Sequence, residues 1–201
     1  ILSPSGRHNF ELMHAILPAQ IGQIASETGV SQLIHFSALG ADMKSNSVYS
    51  RTKAEGERAL LRQFKTAVIL RPSVVFGPGD SFFNRFGQMA MIAPALPLIG
   101  GGTNKMQPVF VGDVADAVMT ILDPNFSGDQ IFELGGPKVY TFKELMELTL
   151  KAVARKRLLL PVPFAVMSLP AFFAGFLPSP PVTLDQLTLL KTDNICSAKA
   201  S

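Results

Sequence analysis

Tyr49 and Lys53 stand four residues apart in the stretch VYSRTK, a spacing that puts both side chains on one face of a helix. A lysine ammonium beside a phenol favours the phenolate and draws a tyrosine pKa down from about 10 towards neutrality. Such a pair suits proton transfer during hydride chemistry, and the lysine can also hydrogen-bond a cofactor ribose. Ser37 closes the apolar run ahead of this helix, where its hydroxyl is placed to polarise a carbonyl. Alone, Tyr-x-x-x-Lys is common on exposed helices, so the elements that position it carry the weight.

Phe10, Met13, Ile16, Ile21 and Ile24 recur at helical spacing and Gly29 follows them, which predicts a helix over 7–28, disturbed at Pro18, with Gly29 at C′. QLIHF at 32–36 reads as a short strand in which His35 is a satisfied core histidine. A loop over 37–47 and a helix over 49–64 come next. The β-branched run TAVIL at 66–70 leads into Arg71-Pro72. Alternating helices and strands with short connections imply parallel βαβ units. In an open parallel sheet the ligand crevice lies outside the carboxyl ends of the strands. Ser37, Tyr49 and the 72–77 turn, with Pro72, Ser73 and Val74 at its start, therefore converge on one edge. Arg71 reads equally as a phosphate contact or as a strand-end structural residue.

Beyond Pro78 the Phe- and Met-rich segment 82–92 reads as core or subunit contact. Gly100–Gly102 lacks the Gly-Lys-Ser/Thr of a phosphate loop and reads as a flexible connection. A strand is expected at 107–111, then a helix over 113–122 with Asp113 as N-cap and Asp116 in its first turn. A strand at 130–134 and an amphipathic helix over 141–155 capped by Thr141 complete the pattern. The expected class is α/β: a Rossmann-type NAD(P)-binding parallel sheet whose N-terminal part is missing, the chain opening on Ile-Leu-Ser as though a strand had been cut. Residues 1–80 would be the C-terminal part of that domain and 81–201 a smaller, partial substrate-like region, with 107–122 packing back on the sheet.

The 201 residues are 47% hydrophobic, enough for a real core. Lys and Arg total 18 against 15 Asp and Glu, with no long basic block, which argues against a nucleic-acid partner. A single cysteine, Cys196, excludes an internal disulfide framework, and no His, Cys or carboxylate cluster has metal-ligand spacing. From 158 to 184 no residue is charged, and Lys151, Arg155, Lys156 and Arg157 precede the stretch. Prolines 161, 163, 170, 178, 180 and 181 interrupt it too often for a spanning helix. A segment lying on a membrane surface or buried by a partner fits better, with ordinary packing on the core as the competing reading.

HFSALGAD, YSRTKAEGE, LRPSVVFGPGD and VFVGDVADAV together resemble the short-chain dehydrogenase/reductase family in its extended or atypical form. More narrowly, RPSVVFGPGDSFFNRF, LPLIGGGTNKMQPVFVGDVADAV, FELGGPKVYTFKELMEL and KRLLLPVPFAV are similar to the nucleotide-binding accessory subunits of respiratory complex I, the alpha-subcomplex subunit 9 family, and to their bacterial relatives. The resemblance puts Tyr49 and Lys53 on the superfamily's catalytic tyrosine and lysine, Ser37 on or near its serine, and His14 where many members carry a structural Asn. It implies that Tyr49, Lys53, Pro72, Ser73 and Val74 grip NADP(H) or NAD(H). The glycine-rich turn, and the residue that selects between the two dinucleotides, would precede Ile1. It also implies complex I (NADH:ubiquinone oxidoreductase) subunits as partners and a structural or assembly role. The location would be peripheral, on the matrix side of the mitochondrial inner membrane or the inner face of a bacterial cytoplasmic membrane. The alternative is an active NAD(P)-dependent reductase, dehydrogenase or sugar epimerase in which Tyr49 is the acid/base, Lys53 orients the ribose and Ser37 polarises the carbonyl. A third reading is a quinone-related accessory protein that uses 158–184 as a membrane surface contact.

Overall fold

A computed structural model describes residues 9–167 and 183–197. The helices are α1 (Leu17–Glu27), α2 (Val48–Gln63), α3 (Phe83–Ile92), α4 (Val111–Ile121), α5 (Phe142–Ala152) and α6 (Leu184–Leu189). The longer strands are β1 (Ile34–Phe36), β2 (Val68–Pro72), β4 (Ala95–Ile99), β7 (Ile131–Leu134) and β9 (Leu158–Val162). Short ones are β3 (Val75–Phe76), β5 (Lys105–Met106), β6 (Val109–Phe110) and β8 (Tyr140–Thr141).

The central sheet is parallel in the order β1-β2-β7, with Ile34 opposite Val68 and Ile69 opposite Ile131. It is covered by helices: Ala25 of α1, Leu60, Phe64 and Ala67 form one buried cluster, and Val68, Leu70 and Ile121 form another with Val118, Phe126 and Phe132. A further core joins Leu98, Met106, Phe142, Leu145 and Met146, against which Phe82, Phe83 and Phe86 pack. The Phe-rich segment is therefore largely core, although Met91 and Ile92 at its end are exposed.

The disturbance expected at Pro18 lies just ahead of it, as a π-helical turn at Leu12–Ile16. Pro18 itself stands in the first turn of α1 directly after that π-turn, so the residue that cannot donate to the helical ladder falls where the helix changes its bonding pattern. Gly29 follows the Thr28 cap with φ +70°, the left-handed C′ geometry. Thr141 caps α5 through a capping box with Glu144.

Four expectations need correction. The strand at 107–111 is only Val109–Phe110, because backbone torsions turn helical at Val111; Phe110 is then the N-cap, Asp113 lies in the first turn rather than capping it, and Asp116 lies beyond that turn. Gly100–Gly102 is a 3-10 turn whose first glycine sits against the Phe164 ring, not an open connection. Leu158–Val162 is a strand parallel to β4, tolerating Pro161 as edge strands do, with Leu159 in the core and Leu158 and Leu160 outward. The rest of the apolar segment, 168–182, lies outside the described residues. His35, expected to be satisfied, has a buried Nε2 with no hydrogen-bond partner.

Helix α2 is seated by contacts its sequence only hints at. A Cβ at Gly56 would lie 1.7 Å from the His14 carbonyl oxygen, so the helix rests backbone to backbone on the π-turn. On another side Glu57 holds Arg71 of β2 in a two-pronged ion pair, Nε to Oε1 at 2.9 Å and Nη2 to Oε2 at 2.5 Å. Gly56→Ala is expected to lower stability by at least ~1–3 kcal/mol through overpacking, read as a shift of the urea midpoint. Arg71→Met strands the buried Glu57 carboxylate and is expected to cost about 2–3 kcal/mol, with Glu57→Gln in the same chain recovering part of it.

Candidate functional site

The carboxyl ends of the three central strands are tied into one edge. The Ser37 N–H donates to the Leu70 carbonyl at 2.8 Å, the Leu39 N–H to the Pro72 carbonyl at 3.0 Å, and the Ser73 N–H to the Leu134 carbonyl at 2.8 Å. These bonds continue the ladder past the strands and fix where Ser37 and Ser73 stand. Ser37 is only 6% exposed, and its hydroxyl is buried without a hydrogen-bond partner. Leaving such a group unpaired costs about 1–3 kcal/mol, the kind of cost proteins retain where a ligand completes the bond.

Lys53 comes to this edge from the second turn of α2, where its ammonium donates to the Phe36 carbonyl at 3.2 Å, one residue before Ser37. Burial lowers the Lys53 pKa, opposed by the nearby Glu57 carboxylate. Tyr49, one turn earlier, meets the His14 ring edge-on at 5.2 Å and the Phe10 ring at 6.1 Å, while Phe10 and His14 stack on each other. His14 also holds α2 through Nδ1, 3.1 Å from the Thr52 hydroxyl, which in turn donates to the Val48 and Tyr49 carbonyls. A π-turn that delivers a buried histidine to this place fits the tendency of π-bulges to occur at functional sites.

The expected lowering of the Tyr49 pKa by Lys53 is not what this geometry gives. Burial raises the Tyr49 pKa, because the phenol sits among rings while the lysine charge is directed at a main-chain carbonyl. Both members of the pair are thus shifted towards neutrality by desolvation.

The remaining expected residues divide. Pro72 ends β2, half-buried, with its carbonyl taken by Leu39. The Ser73 hydroxyl donates to Asn194 Oδ1 at 2.5 Å. Val74 packs against the Leu98–Phe142 cluster, and its carbonyl accepts the Val109 N–H. Pro72 and Ser73 therefore stand at the same edge as Ser37, whereas the Val74 side chain turns to the second core. Arg71 resolves towards structure, its guanidinium committed to Glu57. Thr52, Gly56, Glu57 and Asn194 were not singled out from sequence. Only Gly56 carried a signal, as a glycine inside an otherwise strong helix. With a buried hydroxyl, an amine of lowered pKa and a phenol around one strand edge, the site can hydrogen-bond a polyol and a carbonyl group.

Residues 14–135 match the NAD dependent epimerase/dehydratase family. Among curated proteins, the chain is 35% identical over 203 residues to the mitochondrial NADH dehydrogenase [ubiquinone] 1 alpha subcomplex subunit 9 of Arabidopsis thaliana, covering 96% of this chain and 50% of that protein. It is 34% identical over 177 residues to the Mus musculus protein of the same name, covering 87% and 46%. The chain thus spans about half the length of these relatives. Among solved structures, dTDP-glucose 4,6-dehydratase of Bacillus anthracis in complex with NAD shares the fold at a TM-score of 0.66 and 20% identity, covering 80% of this chain and 58% of that one.

Burial, with the Lys53 charge adding to it, pushes the His35 pKa down to about 4 from its ordinary 6.5. The folded state then binds fewer protons than the unfolded one between those values, so His35's contribution to stability is complete above pH 6.5 and is lost as pH falls towards 4. Denaturant midpoints measured across that range are expected to decline less steeply for His35→Leu than for the parent protein, the difference reaching on the order of 2–3 kcal/mol.

Proposed function

The chain belongs to the NAD-dependent epimerase/dehydratase family, and from that premise we propose that it holds a nicotinamide dinucleotide, NADP(H) or NAD(H), as an accessory, structural or assembly component of respiratory complex I. The observation that carries this reading is the state of the Tyr49–Lys53 pair. A phenol whose pKa is raised by burial is a poor proton acceptor near neutral pH. An ammonium fixed beside Ser37 still makes a strong hydrogen-bond donor for a ribose. Lys53 and Tyr49 would hold the nicotinamide ribose, Ser37 would complete its hydroxyl's bonding on the ligand, and Pro72 and Ser73 would line the approach with backbone groups, Val74 backing them from the core. The dinucleotide supplies hydride chemistry wherever it is used; this chain's groups bind it and keep its ring end oriented.

The names of the relatives support complex I subunits as the partners and a mitochondrial location; within it, the matrix face of the inner membrane is the proposed place. A bacterial relative would occupy the inner face of the cytoplasmic membrane. Among the described residues no helix is long and apolar enough to cross a membrane, which is compatible with peripheral attachment. The outward side chains Leu158 and Leu160, with Lys151, Arg155 and Lys156 close by in the chain, would contribute to that contact.

A second reading, an active reductase, dehydrogenase or epimerase, is favoured by the buried, unpartnered Ser37 hydroxyl, which suits a substrate carbonyl. The two separate in one experiment on the full-length protein released from gently solubilised membranes. Co-purifying complex I subunits and NADPH that is retained but not consumed are expected. Lys53→Met is expected to weaken NADPH binding roughly tenfold or more, the loss of one charge-assisted hydrogen bond. Carbonyl-dependent oxidation of NADPH that disappears in Tyr49→Phe and Ser37→Ala would instead establish the enzyme; a protein without dinucleotide or respiratory partners would end the accessory reading.

A further inference from the structure

The first turn of α2 has two caps, and one of them comes from the far end of the chain. Ser47, buried and in extended geometry, accepts the Ser50 N–H at 3.3 Å in the ordinary way. The same Ser47 hydroxyl donates to Asp185 Oδ2 at 2.8 Å. Asp185 also accepts the Val48 N–H on Oδ1 at 2.6 Å and the Tyr49 N–H on Oδ2 at 3.1 Å. One carboxylate thus takes two of the amides that a helix start leaves unpaired, and it places a negative charge at the positive end of the dipole. Asp185 is itself held in place: α6 has its own capping box between Thr183 and Gln186, and Leu187, 3% exposed, anchors it on Ile99.

We propose that Asp185 is a positioning residue for the site, its carboxylate fixing the first turn of α2 so that Tyr49 and Lys53 are presented to the dinucleotide edge. Tyr49 lies within the capped turn, and Lys53 follows one turn later on the same face. The strand-end edge is tied to the same C-terminal stretch by a second bridge, since Asn194 accepts from Ser73 and its amide donates to the Leu39 carbonyl at 3.4 Å. A frayed first turn lowers the fraction of molecules able to bind, and the apparent affinity falls by that fraction. This inference rests on the dinucleotide reading for its effect on affinity, but its structural half stands apart from it.

The test uses the full-length protein with Asp185→Asn, Asp185→Glu and Ser47→Ala. Asn keeps the size and one acceptor oxygen but turns an N–H₂ towards backbone N–H donors. Amide exchange at Val48, Tyr49 and Ser50 is expected to quicken in Asp185→Asn while Ile69 and Leu70 in β2 keep their protection. NADPH affinity, from the fluorescence of the bound nicotinamide, is expected to fall about three- to tenfold, and Asp185→Glu, which restores the carboxylate, should recover most of both. Ser47→Ala, which keeps Asp185 but removes the hydroxyl between it and Ser50, is expected to give a smaller change of the same local kind, and serves should Asp185→Asn fold poorly. Unchanged exchange at 48–50, or an acceleration spread equally into β2, overturns the proposal; so does unchanged NADPH affinity in Asp185→Asn when the parent protein binds. A parent protein that binds no NADPH counts against the dinucleotide reading alone, and the exchange pattern still decides the role of Asp185.

Discussion

The geometry of the site depends on one backbone contact, the seating of α2 on the π-turn at Gly56 and His14. No side chain fits between the two segments, so their separation is set by main-chain atoms and has little room to drift. The other contacts at this face inherit that separation. It brings the His14 ring edge-on to Tyr49 and lets Nδ1 reach Thr52. On the sheet side it keeps Glu57 within reach of Arg71 and Lys53 within reach of the Phe36 carbonyl. A helix held only by apolar packing could slide by a fraction of a turn; this one is indexed by a carbonyl, an ion pair and a hydrogen bond on different faces.

That seating also explains the electrostatics. Being pressed between α1 and the sheet removes water from Tyr49, Lys53 and His35 together, and desolvation is the largest influence on each. The textural difference from a simple tyrosine–lysine couple is that charge is suppressed throughout: the phenol is held protonated, the histidine neutral, and the lysine ammonium keeps its charge less firmly than a solvated one. A site of this kind favours a ligand that brings its own hydroxyls and charge over one that needs a strong base from the protein.

Much of this architecture was legible in the sequence because it follows from local rules. Apolar spacing located α1, amphipathic patterning located α5 with Thr141 as its cap, and the β-branched run TAVIL located β2. The expected parallel order already brings Ser37, Tyr49 and the 72–77 turn to one edge. What escaped was non-local. Nothing near Lys53 in the chain reveals that its ammonium would be drawn to the Phe36 carbonyl instead of the Tyr49 phenol. Asp113 looked like a cap because carboxylates favour helix starts, yet helical torsions began two residues earlier, at Val111. Leu158–Val162 carries two leucines outward and no charge, so its pairing with β4 could not be separated from an apolar surface segment by composition alone.

The cap on α2 has a consequence in time. Val48 and Tyr49 are completed by a residue 137 and 136 positions later in the chain. At a synthesis rate of about 5–20 residues per second, that residue emerges roughly 7–27 s after them. During that interval the helix start has Ser47 as its own cap but lacks the carboxylate, so the nascent chain can form α2 before the finished site exists. Completion of the site is thereby reserved for a chain that has been made through to α6, and a product cut short before Asp185 would carry the tyrosine and lysine on a helix whose first turn is only half secured.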